Sequence, residues 1–414
     1  MAVLDALQAM NGVRARLRIR PAALRRAWPL ALALIVIVVI GSGFVFSKYG
    51  RPAVASALFL PDMLAELPVR PATWFTADPI VERVTIDYGS GRIIADVYRP
   101  PDDDRHASIL FSMGAPPLDL DDSRLVKLGE SAARVGLIMV IPFSSRLKAE
   151  LIEPEEIDAL VGIFQYLEAQ PYADPDRIGY IGVSVGGSLA LLAAADPRIA
   201  DRVNYVVAFG AYFDALDTLV SVGSRRIEYD GLEEAWEPDS HTVEVMALQL
   251  IVELQDPSDR ATLCKVFVDP GDRSRLCDPS VGREPVTNEE IARLTTEGRA
   301  AYDFMTAADP ARTDELLDQL PPAALAKLER LSPARTIEQL QGELFIIHDR
   351  GDKFIPYVES RRMRDALAGR DGVHFTEVSL FEHVEPRLSR GGDVIVLDGA
   401  RLYYRLYQLL LKLT

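Results

Sequence analysis

The hydrophobic and polar positions of this chain follow two patterns that alternate along much of its length. Short apolar runs predict buried β-strands, and longer segments with apolar residues three or four positions apart predict amphipathic helices. The predicted strands cover 81–88, 92–99, 108–113, 136–142, 178–183, 203–209, 343–347 and 373–380, and the predicted helices cover 121–134, 154–169, 188–195, 356–368 and 393–412. Strands that alternate with helices form a mostly parallel sheet with helices on both faces, so we predict an α/β fold.

The alternation stops in segment 214–340, which is charged and contains several prolines that interrupt it. No strand pattern is evident there, and helical spacing recurs near 241–255, 287–308 and 313–331. We therefore predict that 214–340 is a helical cap inserted over the carboxyl edge of the sheet. Residues 81–213 and 341–414 then form the α/β core.

The N-terminal part of the chain predicts a single transmembrane helix. Segment 29–46 is uncharged and apolar, and about 18 such residues can just span a bilayer as a helix. Six arginines lie in residues 1–28, before this run. The positive-inside rule then leaves residues 1–28 in the cytoplasm and places the body of the protein on the extracytoplasmic side. Residues 47–80, rich in proline and apolar side chains, are predicted to be a juxtamembrane tether with at most a short helix near 61–67. Their apolar content predicts that the tether lies against the membrane or the body of the protein.

A cleaved signal peptide is the alternative for the same region. Ala53-Val54-Ala55 and Ala55-Ser56-Ala57 both resemble signal-peptidase sites. The apolar and basic segments are long for a signal peptide, which favours the uncleaved anchor. Both interpretations export the body of the protein, as an anchored or a secreted form.

Charge and cysteine content exclude several classes of function. Residues 1–51 hold eight basic residues and one acidic residue, and the remainder holds 37 basic and 60 acidic residues. So acidic a body repels nucleic acid, and no nucleic-acid role is expected. Cys264 and Cys277 are too few for a disulfide scaffold or a four-thiolate metal site. They form either one disulfide in an oxidising compartment or two free thiols.

The stretch Gly182-Val183-Ser184-Val185-Gly186 joins a predicted strand directly to an alanine- and leucine-rich helix. A glycine two positions before and after the serine leaves room for a very sharp turn, as in the Gly-x-Ser-x-Gly nucleophile elbow. Such a turn holds the Ser184 hydroxyl at the positive end of the following helix. The alternative is a glycine-rich turn with an ordinary serine.

A serine becomes a nucleophile when a histidine removes its proton and an acid orients that histidine. His383 directly follows the last predicted strand, so its loop reaches the sheet edge where Ser184 emerges, and we predict it to be the base. His348 ends a strand and either acts at that edge or supports its loop. The three other histidines are predicted to be structural or exposed: His106, His241 and His374.

The acid is expected in the loop after strand 343–347. Asp352 lies inside that loop and is our prediction, because Ile355-Pro356 follows it and the proline opens the next helix. Asp349 is interpreted as a solvated loop carboxylate. Asp214, after the preceding core strand, is a third candidate.

The chain order Ser184, Asp352, His383 resembles that of the α/β-hydrolase superfamily, over about residues 81–412. Within the superfamily, the chain most resembles dienelactone-hydrolase-like and prolyl-oligopeptidase-like esterases. Dienelactone hydrolases proper, however, use cysteine where this chain has Ser184. The resemblance implies an α/β-hydrolase fold, a serine nucleophile, an acyl-enzyme and no cofactor or metal. It also implies an oxyanion hole made by the backbone N–H groups of Val185 and Ala115, with Ser112-Met113-Gly114 replacing the His-Gly of many relatives.

These features predict an exported, membrane-anchored serine hydrolase that cleaves a carboxylic ester or a related acyl bond of a small-molecule or lipid-like substrate. A peptidase of the prolyl-oligopeptidase type would use the same residues, and a lipid acyl hydrolase would fit the anchor. A hydrolase-fold protein that only binds a ligand is the non-enzymatic alternative. The sequence carries no signal for oligomeric state or for the acyl group.

Overall fold

The structure is a computed structural model, and it describes residues 43, 45, 47–63, 70–89, 91–268, 277, 285–307, 309–383, 385–386 and 392–413. Among these residues no helix has the length and apolar character needed to cross a membrane. The predicted transmembrane helix 29–46 lies almost wholly outside the described residues.

The described core contains strands and helices close to the predicted ones. The strands are β1 (Ile80–Tyr88), β2 (Gly91–Arg99), β3 (His106–Ser112), β4 (Ile138–Phe143), β5 (Ala173–Val183), β6 (Tyr205–Phe209), β7 (Arg226–Tyr229), β8 (Leu232–Ala235), β9 (Glu343–Asp349), β10 (Val373–Val378), β11 (Phe381–Glu382) and β12 (Glu385–Pro386). The helices are α1 (Gly50–Met63), α2 (Ser123–Arg134), α3 (Ser145–Lys148), α4 (Glu155–Glu168), α5 (Val185–Ala194), α6 (Ala215–Ser224), α7 (Ser240–Ile251), α8 (Pro257–Phe267), α9 (Asn288–Ala292), α10 (Thr296–Met305), α11 (Thr313–Leu317), α12 (Pro322–Arg330), α13 (Val358–Ala366) and α14 (Gly392–Leu413).

One eight-stranded sheet forms the centre of the molecule, in the order β1-β2-β4-β3-β5-β6-β9-β10. Strand β2 pairs antiparallel with both of its neighbours, and the pairs from β4 to β10 are all parallel. Strand β5, which ends beside Ser184, therefore lies between β3 and β6 near the middle of the sheet. The prediction of a mostly parallel sheet is confirmed.

The sheet separates two apolar cores, because side chains of a strand alternate between its faces. Along β4, Ile138 and Val140 belong to the core under α4 and α5, and Met139 and Ile141 belong to the core under α1, α2 and α14. Every residue of α5 is buried. Helices on both faces explain why the inner strands β4 and β6 are continuously apolar rather than alternating.

The described residues between β6 and β9 are mainly helical, as expected, but they also form a hairpin that we did not predict. Strands β7 and β8 pair antiparallel through Asp230 and Gly231, which have φ values of 53° and 72°. An Asp-Gly pair with both φ angles positive is the favoured two-residue hairpin turn. The Asp-Gly dipeptide is the sequence signal for this hairpin, but the charged residues on either side obscure the strand pattern. We use the name cap for residues 214–340.

The segment before β1 contains a helix longer and earlier than predicted. Helix α1 covers Gly50–Met63, and residues 64–67 of the predicted short helix lie outside the described residues. The helix packs against the body, as predicted. Its Phe59 is buried, and the Ala53 carbonyl accepts a hydrogen bond from the Tyr403 hydroxyl of α14. The helix forms because Pro52 lies in the first turn, where a missing N–H costs nothing, and because α14 covers its apolar face.

Cys264 and Cys277 form a disulfide within the cap. Of the two alternatives left open by the sequence, the structure has the bridged one. It ties the last turn of α8 to a residue 13 positions further along the chain.

Candidate active site

Ser184 lies at the junction of β5 and α5, in a backbone conformation that is unusual for a non-glycine residue, with φ 55° and ψ −135°. The two flanking glycines make this turn possible. A Cβ atom on Gly182 would lie 2.4 Å from the Gly186 carbonyl oxygen, and one on Gly186 would lie 2.2 Å from the Met113 carbonyl oxygen. The turn is therefore the strained strand-to-helix elbow that exposes a serine at the top of the sheet.

The two predicted oxyanion-hole residues lie on either side of Ser184. Val185 is the first residue of α5, and N–H groups in a first helical turn have no partner within the helix and lie at its positive end. The loop after β3 passes close to the serine, since a Cβ atom on Gly114 would lie 3.0 Å from Ser184 Cβ and 3.3 Å from its Oγ. Ala115 follows directly, so two backbone segments bracket the hydroxyl.

Asp352 and His383 are hydrogen-bonded to each other. His383 Nδ1 lies 2.7 Å from Asp352 Oδ2, and both residues are buried. The other carboxylate oxygen, Oδ1, accepts from the backbone N–H groups of Phe354 at 2.7 Å and Ile355 at 3.1 Å. Three donors thus fix the carboxylate, which is the geometry needed to orient an imidazole.

The electrostatics of Asp352 favour its charged form. Burial by itself would raise the pKa of this carboxyl, but the charge of His383 and hydrogen bonds from His348 and His383 outweigh it. Together they hold the pKa of Asp352 well below its ordinary value. The acid is therefore ionised at neutral pH and able to stabilise a protonated His383.

His383 and the Ser184 elbow both lie against the end of β6. It occupies a turn with φ 57° between β11 and β12, and its ring stacks on Phe354 with centroids 4.8 Å apart. A Cβ atom on Gly210 would lie 3.3 Å from His383 Nδ1. The preceding residue, Phe209, accepts a 2.8 Å hydrogen bond from the Ser184 N–H through its carbonyl. Ser184 and His383 therefore flank the same two residues at the carboxyl edge of the sheet.

The two other candidate acids have different roles. Asp349 was expected to be solvated and is instead fully buried, so that prediction is wrong. Its carboxylate accepts from the N–H of Gly351 at 2.7 Å and from the N–H of Phe381 at 2.8 Å, which joins the loop of Asp352 to the strand before His383. Asp214 caps α6 and accepts a hydrogen bond from the Ser332 hydroxyl.

The cap contributes directly to this edge of the sheet. The Trp236 indole donates to the carbonyl of Asp352 at 3.0 Å, and the Thr242 hydroxyl donates to the carbonyl of Phe354 at 3.0 Å. His241 Nε2 lies 3.1 Å from the carbonyl oxygen of Ala115. Sequence reasoning assigned His241 to a structural or exposed place. No local signal reveals its role, because it meets Ala115 only after the chain has folded.

One group of side chains in the described part of the chain has metal-ligand chemistry. Single ligand atoms of Glu150, His241 and Glu244 all lie within 4.8 Å of one another. Two carboxylates and an imidazole form a donor set that divalent ions accept. The group adjoins the Ala115 loop, and the serine chemistry considered below uses no step through it.

Of the remaining histidines, His348 contacts Asp352, and the other two make contacts elsewhere in the core. His348 is fully buried and lies 3.3 Å from Asp352 Oδ2 through its Nε2. His106 contacts the Gly136 carbonyl and Asp102, and His374 stacks on Phe345. The structure places all five predicted site residues around one edge of the sheet: Ser184, Val185, Ala115, Asp352 and His383.

The central sheet, the elbow after its middle strand and the helices on both faces define an α/β-hydrolase-like fold. No family model matches the chain, and no curated protein matches it. Among solved structures, it is similar to a Pyrococcus horikoshii acylaminoacyl peptidase (13% identity, TM-score 0.44) over 83% of this chain and 44% of that one. It is also similar to a Pyrobaculum calidifontis esterase (14% identity, TM-score 0.42) over 90% and 96% of the two chains.

A third similar structure is Est1E from Butyrivibrio proteoclasticus, at 10% identity and a TM-score of 0.41, over 79% of this chain and 98% of that chain. The chain spans less than half the length of the peptidases that it matches, 44% for the acylaminoacyl peptidase and 36% for Porphyromonas gingivalis dipeptidyl peptidase 4. At these identities the similarity concerns the fold alone.

Proposed function

We propose that the protein is a serine hydrolase that cleaves a carboxylic ester or a related acyl bond. The observation that carries this proposal is the 2.7 Å hydrogen bond between His383 Nδ1 and Asp352 Oδ2, beside a serine held on a strained elbow. With Nδ1–H donated to the carboxylate, Nε2 is the nitrogen left to accept the proton of Ser184.

In the proposed reaction, Ser184 Oγ attacks the carbonyl carbon while His383 Nε2 takes the hydroxyl proton. The negative charge that develops on the carbonyl oxygen is stabilised by the N–H groups of Val185 and Ala115. The tetrahedral intermediate expels the alcohol, which receives the proton from His383, and an acyl-enzyme remains. Water, deprotonated by His383, then releases the acid and restores Ser184.

The substrate is proposed to be a small or lipid-like ester that reaches Ser184 beneath the cap. Peptide bonds are the competing substrate class, because the same catalytic groups cleave both. Trp236, His241 and Thr242 of the cap contact the loops of Asp352 and Ala115, which supports a role for the cap in shaping the acyl site.

We further propose that the body acts outside the cytoplasm and is anchored by residues 29–46. Two observations support this: the basic residues that precede the apolar run, and the Cys264–Cys277 disulfide, which is typical of oxidising compartments. A thiol count on denatured, unreduced protein purified from its native compartment tests the disulfide. Protease accessibility in sealed cells tests the side of the membrane, and a mature N-terminus near Ala55 would instead indicate cleavage and secretion.

Labelling with a fluorophosphonate probe tests the chemistry. The expected result is a single adduct on Ser184, located by mass spectrometry, and loss of both labelling and p-nitrophenyl ester turnover in Ser184→Ala with unchanged thermal stability. An unlabelled wild-type protein would favour a binding role for the fold. Labelling without ester turnover, together with cleavage of peptide amides, would replace the esterase by a peptidase.

A further inference from the structure

A second imidazole contacts the acid of the proposed catalytic triad. His348, at the end of β9, is fully buried, and its Nε2 lies 3.1 Å from the carbonyl oxygen of Ile355 and 3.3 Å from Asp352 Oδ2. Oδ2 is the same oxygen that His383 contacts at 2.7 Å. One carboxylate oxygen therefore faces two histidines.

The contacts of His348 show which of its ring nitrogens donates a hydrogen bond. Both atoms near Nε2 are hydrogen-bond acceptors, so Nε2 carries a proton and donates to them. The other ring nitrogen, Nδ1, is buried and has no hydrogen-bond partner among the described residues. The imidazole is therefore held with its Nε2–H aimed at the carbonyl and the carboxylate.

We infer that His348 is a positioning residue of the triad, which holds Asp352 in its charged form and limits how much negative charge it presents to His383. This inference rests on the proposed function. His348 touches no reacting atom, so it acts only through Asp352. Its donor shares Oδ2 with His383, which fixes the carboxylate plane and draws part of the charge away from the bond to His383.

The titratable groups that contact Asp352 among the described residues are the two imidazoles, His348 from β9 and His383 from the β11–β12 turn. The other donors to its carboxylate are the backbone N–H groups of Phe354 and Ile355. Removing His348 therefore changes one of the two titratable contacts that the acid makes within the described part of the chain. His383 then faces more negative charge and holds its proton more strongly.

The test compares His348→Leu, which fills the space without a donor, with His348→Gln, whose side-chain N–H₂ can replace Nε2–H. In His348→Leu we expect kcat per fluorophosphonate-titrated site to fall roughly tenfold with little change in KM, and the acid limb of kcat/KM to move to higher pH. His348→Gln is expected to recover most of the loss. His106→Leu, which removes another histidine bonded to a backbone carbonyl, is the control for stability alone.

A merely structural His348 would lower stability and the titrated fraction of His348→Leu but leave kcat per site and the acid limb unchanged, and this result would overturn the inference. A readout free of turnover is the low-field proton resonance of His383 Nδ1–H, which should shift in His348→Leu and not in His106→Leu. An unlabelled, inactive wild-type protein would refute the proposed function, whereas an unshifted resonance would refute the role of His348. The two failures are therefore distinguishable.

Discussion

The indole N–H of Trp236 donates a 3.0 Å hydrogen bond to the backbone carbonyl of Asp352. Trp236 belongs to the cap, and Asp352 belongs to the core, 116 residues further along the chain. Both groups are buried. The position of the proposed catalytic acid thus depends on a side chain outside the α/β core.

Trp236→Phe should lower both the stability of the protein and its kcat. Phenylalanine keeps an aromatic ring but leaves the Asp352 carbonyl without its indole donor, at a cost of about 1–3 kcal/mol in the free energy of unfolding. Chemical denaturation and kcat for an activated ester measure the two effects. Trp74→Phe is the matched control, because Trp74 is 68% exposed and its replacement should stay within about 0.5 kcal/mol. Equal stabilities of the two variants would contradict the role of Trp236.

His241→Ala should lower kcat more than it raises KM. His241 Nε2 contacts the carbonyl oxygen of Ala115, the residue whose N–H is proposed to face the oxyanion. Loss of this contact frees the loop, and the effect should approach, without reaching, the roughly 100-fold cost of deleting an oxyanion donor. Steady-state kinetics on an ester series measure it.

His241→Gln is the matched variant, since its side-chain amide can donate at nearly the same place as Nε2. We expect it to retain most of the activity. If His241→Ala and His241→Gln are equally slow, or equally fast, the hydrogen bond to Ala115 is not what places the loop.

Gly186→Ala should abolish activity and strongly reduce stability. The added Cβ would lie 2.2 Å from the Met113 carbonyl oxygen and 2.3 Å from that of Ser112, and backbone atoms cannot yield as a flexible side chain does. We expect the free energy of unfolding to fall by about 1–3 kcal/mol or more, as it does in overpacked cores. Gly399→Ala in α14 is the control, because nothing lies within 4 Å of the added Cβ. Replacing this helical glycine should raise the free energy of unfolding by as much as about 1 kcal/mol. Thermal unfolding and ester turnover of both variants decide the matter.

Glu359→Gln should stabilise the protein more at pH 8 than at pH 5. Burial raises the pKa of Glu359 to about 7 from its ordinary 4.5, although Arg362 opposes the shift. The folded state therefore holds a proton that the unfolded chain releases. The stability this gives is full below pH 4.5 and is lost as pH rises through 7.

Glutamine resembles the protonated carboxyl and can still accept from the N–H groups of Phe213 and Asp214, which the Glu359 carboxylate binds at 3.0 and 2.8 Å. Urea denaturation at several pH values measures the difference from the wild type. The exposed Glu338→Gln provides the baseline. A difference that does not grow with pH would show that Glu359 is ionised in the folded state throughout this range.

Features that depend on neighbours in the chain could be predicted from the amino-acid sequence alone. Alternating apolar runs and amphipathic segments predicted the strands and helices of the core, since burial on both faces makes the inner strands continuously apolar. The Gly182-x-Ser184-x-Gly186 turn needs only local steric room. Asp352 and His383 could be chosen because the loops that follow parallel strands meet at one edge of the sheet.

Contacts between segments distant in the chain became evident from the folded structure. His241 reaches Ala115 across 126 residues, and Asp349 proved to be buried because it binds the Phe381 N–H, 32 residues away. Helix α1 lies against α14, and although its apolar content predicted contact with the membrane or the body, no local pattern identifies a partner at the other end of the chain. Local propensity and periodicity are written in adjacent residues, whereas these hydrogen bonds form only where the fold brings separate segments together.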